Sequence, residues 1–353
     1  MFEKIDKKGK CWTAEKAWAW YDRHPLIIGV NYVPRYAVNT TEMWQDESFD
    51  PAVIDQELGW AHANGYNAIR VFLQYLVYES EKEFFLGHFE ELLRIAAAHG
   101  ISVVPVLFDD CAFSNLQPYL GKQNPPRLLV HNSGWTPSPG TAYSENLEKY
   151  PMLERYVMAV IGAHRTDDRI LMWDLYNECG NNGRGAKSLY LLECAFEWAR
   201  AAECIQPLTA GYWAMENGSA PPDARFNDMA ALERSDIITY HQYSDGENFE
   251  RLVGALRELG YPIVCTEWMA RMFFDSYIEM ILPLFEKNRI GSFHWGLVNG
   301  KTQTHIPWNW DVTKGEPSIW FHDVLHADGT PYRAEEMALV KRISERNSSN
   351  TGG

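Results

Sequence analysis

Short apolar runs recur along the chain, and amphipathic stretches separate them. The runs are "LIIGVNY" (26–32), "NAIRVFL" (67–73), "SVVPVLF" (102–108, with Ile101), "ILMWDLY" (170–176), "PLTAGYW" (207–213), "DIITYHQY" (236–243), "PIVCTE" (262–267) and "GSFHWGLV" (291–298). Runs with so little polar interruption suit parallel strands buried on both faces. Between them the spacing predicts helices. Residues 51–65 have Pro near the start and Gly at the end, and 81–100 also close on Gly. That asymmetry marks helix termini. Further helices are predicted over 146–163, 187–203, 247–259 and 276–289, with a short one near 226–234.

Eight strands alternating with helices in one chain predict a (β/α)8 barrel spanning residues 1–345 as a single domain. A doubly wound open sheet would want a glycine fingerprint after its first strand, and "GVNYVPRY" has none. Residues 109–145 are an exceptional connection, rich in Pro, Gly and aromatics. A loop that long is usually functional or disordered, and after a barrel strand it lies on the catalytic face. The end of the chain, 346–353, is expected to be a disordered tail.

The strand ends carry the chemistry. Strand four finishes in Asn177 and Glu178, strand seven in Glu267, both after apolar runs. Barrel enzymes place reacting groups at these C-terminal ends. Burial raises a carboxyl pKa, and a neighbouring carboxylate raises one of a pair further. Two alike groups can thereby become an acid and a nucleophile or base. Any single strand-end Glu is as readily a salt-bridge partner; the convergence of several polar residues is what carries weight. Arg70 lies inside an apolar run and needs a carboxylate partner. Asp109 and Asp110 end strand three, His241 and Tyr243 share a face of strand six, and His294 and Trp295 lie on strand eight.

Composition narrows the partners. Lys plus Arg number 32 and Asp plus Glu 47, a formal charge of −15. Such a balance argues against nucleic acid or an anionic membrane and leaves neutral substrates compatible. No apolar run approaches the roughly 18 residues of a membrane span. The six Cys show no C-x-x-C spacing, as expected of free, mostly buried thiols. "MFEKIDKKGK" has no apolar signal-peptide core, so a cytoplasmic location is expected; a trimmed export signal would change that to secreted or periplasmic. The pattern sets no oligomeric state.

With these residues in place, the chain resembles the retaining (β/α)8 glycoside hydrolases of clan A, most nearly family 5 and its cellulase-like members. The resemblance covers about residues 25 to 330. It implies that Glu178 is the general acid/base and that Asn177 binds the sugar 2-hydroxyl. Glu267 is implied as the nucleophile, steadied by Arg70. His241 and Tyr243 match that family's His-x-Tyr, whose Tyr contacts the nucleophile, and Trp295 matches the platform beneath the reacting sugar. The implied activity is cleavage of β-linked glucan, mannan or xylan type glycans or oligosaccharides by double displacement, without cofactor or metal. The two carboxyls should then lie about 5–5.5 Å apart, against about 6.5–9.5 Å for inversion. Glu267 is expected to be ionised and Glu178 protonated.

There are departures from the family pattern. Cys179 follows the Asn-Glu pair where Pro is common, and Asp109-Asp110 stands where a His is frequent, with His131 farther along the loop. Cys179 is expected to be a small buried replacement rather than a nucleophile.

Trp135, Trp213, Trp268, Trp295, Trp308 and Trp310 lie in or beside loops after strands. Pyranose faces stack on such rings. Asp109, Trp135 and Trp213 are accordingly further substrate-binding candidates, and "HNSGW" (131–135) and "NGKTQTHIPWNW" (299–310) candidate substrate loops. "GLVNGKT" is one residue short of a phosphate loop, and His322 and His326, spaced like residues on one helix face, have no obvious third ligand. The rival functions are a non-catalytic carbohydrate-binding barrel and a metal-dependent barrel hydrolase using acids such as Asp109 and Asp110.

Overall fold

The computed structural model describes residues 5–215, 217–273 and 275–348. Its strands are β1 (Ile28–Asn31), β2 (Ala68–Phe72), β3 (Ser102–Asp109), β4 (Trp173–Asn177), β5 (Leu208–Thr209), β6 (Ile238–His241), β7 (Ile263–Trp268) and β8 (Gly291–Trp295). All neighbours pair in parallel, in the order β5-β4-β3-β2-β1-β8-β7-β6. The remaining seam is stitched by a Tyr212–Tyr240 bridge, with Tyr212 N donating to Thr239 O at 2.9 Å and His241 N to Tyr212 O at 2.9 Å. The result is the predicted (β/α)8 barrel.

β5 is shorter than its apolar run because the chain leaves the sheet after Thr209 and rejoins only at Tyr212. Gly211 lies in this gap; a Cβ there would come within 3.1 Å of His241 Nε2. The small residue makes room for the imidazole.

The predicted helices form at Pro51–Ala63, Lys82–Ala98, Tyr150–Ala163, Leu189–Ala201, Arg225–Arg234, Gly246–Arg257 and Ile278–Asn288. Asp50 caps the first by accepting from Ala52 N and Val53 N. Further helices are additions to the predicted set: three short ones, Thr40–Trp44, Tyr75–Ser80 and Thr141–Ser144, lie in loops, and two others complete the core. Ala14–Tyr21 closes the N-terminal end of the barrel: Ala17, Trp20 and Tyr21 pack against Ala68, Val104, Met172, Val264 and Phe293. Ala334–Ser348 packs Met337, Val340 and Ile343 into the main core. It runs through Ser348 and so corrects the expected tail, which began at 346; residues 349–353 lie outside the described residues. Among the described residues, no helix is long and apolar enough to cross a membrane.

Candidate active site

Strand register sets up one layer at the C-terminal mouth. Asn31 pairs with Arg70 and with Trp295, and Asp109 with Asn177. Arg70 is fully buried at its centre. Its Nε donates to Asp174 Oδ2 (2.9 Å), Nη1 to Asn31 Oδ1 (2.7 Å) and Glu267 Oε1 (3.1 Å), and Nη2 to Asn177 Oδ1 (2.7 Å). The cation the sequence left unpartnered therefore ties β1, β2, β4 and β7 together.

Consecutive strand residues point to opposite faces. Asn177 and Glu178 nevertheless both reach the mouth, because Glu178 adopts φ +40°. That left-handed conformation is unfavourable for a residue with a Cβ, by about 1–3 kcal/mol. It breaks the alternation and turns the carboxyl inward. His241 Nδ1 lies 2.9 Å from Glu178 Oε1, and Glu178 Oε2 accepts from Cys111 Sγ at 3.1 Å and from Asn181 Nδ2. Across the mouth Tyr243 OH donates to Glu267 Oε2 at 2.9 Å. An oxygen of Glu178, an oxygen of Glu267 and a ring nitrogen of His241 lie within 4.8 Å of one another.

The electrostatics differ from the expectation. Burial works to raise Glu178, but the hydrogen bond and charge of His241, with Cys111 and Asn181, outweigh it and bring the carboxyl below its ordinary value. Glu267 is raised, by burial and by the nearby Glu178, against the opposing pull of His241 and Arg70. Burial opposes protonation of His241, yet the two carboxylates raise its pKa. Glu267 and His241 are thus both raised in part by neighbouring carboxylate charge, and Glu178 alone of the trio is lowered. Asp109 is pushed up to about 7 by burial, although Asn177, Cys111 N and Trp135 all donate to it.

Above these groups opens a cleft of about 610 Å³, within the range of small-molecule sites. Trp295 forms part of its lining, stacked on Phe72 at 5.6 Å and 21°. Trp135 stands against it at 83°, its Nε1 donating to Asp109 Oδ2 at 2.7 Å. Trp308, Trp310 and His131 line the upper wall.

Glu178, Glu267, Arg70, Asn177, His241, Tyr243, Asp109, Trp135 and Trp295 thus converge in one network. Trp213 does not: it is buried against Ala214 and Ala224, donates to the Cys179 carbonyl at 3.2 Å, and supports the loop after β4 rather than lining the cleft. Asp110 turns from the mouth to Arg184, Ser188 and Tyr176. His294 is a further correction. Alternation on β8 sends it outward to Tyr66 OH (2.7 Å), and burial depresses it to about 3. Trp268 likewise packs outward on Phe285. His322 and His326 share no helix; His322 packs beside Tyr243 at the cleft, and His326 lies on Trp320.

Cys179 is buried, with its carbonyl holding Trp213 and Asn227. The thiol that touches the acid is Cys111, which sequence reasoning passed over, together with Asn181. Two signals were available: Cys111 is two residues beyond inward-facing Asp109, and Asn181 is three beyond Glu178.

No family model and no curated protein matches the chain. Solved structures do match its fold. An exo-β-1,4-mannosidase from Opitutaceae bacterium strain TAV5 aligns with TM-score 0.60 and 14% identity over 92% of this chain. This chain spans 60% of that protein's length. A GH5_18 protein from Streptomyces cattleya, solved with Manβ1-4GlcNAc, aligns with TM-score 0.61 and 12% identity over 92% of this chain and 81% of its own. The endo-1,4-β-mannanase of Rhizomucor miehei aligns with TM-score 0.59 and 13% identity over 98% of this chain and 100% of its own.

Proposed function

We propose that the protein is a retaining glycoside hydrolase that cleaves β-1,4-linked, mannan-type oligosaccharides. The observation that carries this reading is the approach of Glu178 and Glu267 to within 4.8 Å beside the Trp295 platform. That separation leaves no room for the water an inverting pair holds between its carboxyls. The mannan type rests on the named fold relatives.

Glu267 is the nucleophile. Arg70 and Tyr243 each hold one of its oxygens, which fixes its aim and offsets the burial that raises it. It attacks the anomeric carbon, the glycosidic C–O bond breaks, and Glu178 supplies the proton to the departing oxygen. His241, 2.9 Å from Glu178 and raised by the two carboxylates, is placed to exchange a proton with it. Bound sugar strips the remaining water from Glu178, raises its pKa and draws the proton across. Water activated by Glu178 then releases the sugar from Glu267 with net retention.

Aryl β-mannoside hydrolysis by wild type, Glu178→Gln and Glu267→Ala, followed by NMR of the product anomer, tests this. Retention with loss of activity in Glu267→Ala is expected. Activity surviving both substitutions, or an inverted product, overturns the reading. The Glu178–His241–Glu267 trio also has metal-ligand spacing; Arg70 beside it disfavours a further cation, and sensitivity to chelator would restore that alternative.

A further inference from the structure

We infer that the cleft is closed at its glycone end, and that the enzyme removes single sugars from the non-reducing ends of short β-1,4-linked oligosaccharides. This rests on the glycosidase reading above and goes beyond it in specifying the mode of attack.

The closure is built by three loops. The loop after β3 leaves at Asp109 and returns beside it, where Asp109 N donates to Ser138 O (2.7 Å) and Ser138 N to Asp109 O (2.9 Å). Its far end meets the loop after β8. Asn132 N donates to Thr302 O (2.8 Å), Leu129 N to Gln303 Oε1 (2.9 Å) and Gln303 Nε2 to Arg127 O (2.8 Å), and His131 Nδ1 lies 2.7 Å from Ile306 O. In the barrel β1 and β2 stand between β8 and β3. These bonds therefore span an arch over that quadrant.

The loop after β1 fills the space beneath. Asn39 Nδ2 donates to Gly134 O (2.9 Å) and Lys301 N to Arg35 O (3.0 Å). Contact is at backbone distance: a Cβ on Gly134 would sit 2.5 Å from Val38 Cγ2, and one on Gly300 2.4 Å from Arg35 Cα. Leu129 and Asn132 hold φ +59° and +44°, a local cost that surrounding bonds must offset. Such an arch is a built wall rather than a loop resting on the mouth.

Chemistry fixes which end the wall blocks. The departing oxygen must touch Glu178, so the leaving group lies on the β4 side, among Asn181, Asn182, Asn217 and Ser219. Asn217 and Ser219 are exposed there. The glycone lies on Trp295 of β8, and any sugar beyond it must cross β1 and β2 under the arch. At that edge Trp135 stands across the platform with ring centres 5.8 Å apart, held by Asp109 and 1% exposed. With Trp135 and the arch as its wall, the inferred glycone side takes one ring and stops a longer chain.

The test uses the wild-type chain on aryl β-mannoside, β-1,4-mannohexaose, and mannohexaose methylated at the terminal non-reducing 4-hydroxyl. Mannose and mannopentaose are expected as the first products, with the capped chain cut at least 100-fold more slowly. Mannobiose or mannotriose as first products, internal cleavage of the capped chain, or hydrolysis of the aryl glycoside alone overturns the chain-end inference and leaves the glycosidase reading standing. Hydrolysis of none of the three overturns the glycosidase reading itself.

Discussion

Replacing Arg70 by methionine probes the network that organises the mouth. The side chain is fully buried, and removing its charge strands Asp174 and Glu267, each buried and each bonded to it. Breaking a buried ion pair by deleting one partner costs about 3–5 kcal/mol. With an unfolding entropy of roughly 2.1 cal/mol/K per residue over 353 residues, that lowers Tm by about 4–7 °C. The loss should depend on pH. Both carboxyls are already raised by burial, and without Arg70 they rise further. A group whose folded pKa is raised contributes stability that is complete below its unfolded pKa and lost as pH rises through the folded one. The deficit of Arg70→Met should therefore be smallest near pH 4 to 5 and grow toward pH 8. Urea denaturation at both ends of that window measures it, and adding Asp174→Asn should recover part of the loss at pH 8. A deficit under about 1 kcal/mol at both pH values, or one that does not change with pH, refutes the account, since either would mean the carboxylates are not held ionised by Arg70.

Cys111→Ala should lower kcat by about 10- to 150-fold at most and shift a limb of the pH–rate profile, whereas Cys111→Ser, which keeps a donor to Glu178, restores the profile; the ceiling follows from one hydrogen bond to a charged group, about 1.5–3 kcal/mol. Burial and the Glu178 charge hold the Cys111 thiol well above its ordinary pKa, so iodoacetamide at pH 7 should leave activity intact, as judged by residual rate after an hour. Trp135→Phe frees Asp109 Oδ2 and should reduce kcat/KM by at least 10-fold, while Trp213→Phe should cost about 1 kcal/mol of stability and change kcat/KM less than threefold; equal effects on activity would contradict their different placement. Asp109, pushed up to about 7, makes the fold lose stability as pH rises from about 4 to 7. Asp109→Asn should flatten that slope in urea titrations.

The barrel and most of its helices could be read from the chain because both signals are local. Apolar runs buried on both faces and helical spacing closed by Gly survive without knowledge of neighbours. Ala14–Tyr21 escaped notice because its apolar face has meaning only as a plug for the strand ends it meets. Strand ends likewise exposed the two Glu and Arg70, since a charge inside an apolar run needs a reason wherever the run packs.

Orientation was a tertiary matter. Alternation alone would have turned Glu178 away from Asn177; a left-handed backbone, tolerated because His241, Cys111 and Asn181 receive the carboxyl, put both in the mouth. Asp109 and Asp110 are neighbours in sequence, yet one faces the cleft and the other Arg184. Trp213 and Trp135 are the same residue type after strand ends, and only packing made one a prop and the other a wall. The sequence by itself determined the layers, the carboxylates and the chemistry they suit, because those follow from burial period and residue type. The tertiary structure alone decided which side chains meet in the mouth, which of them turn away, and which loops touch across it. Each of these depends on distances between groups far apart in the chain, which no local pattern encodes.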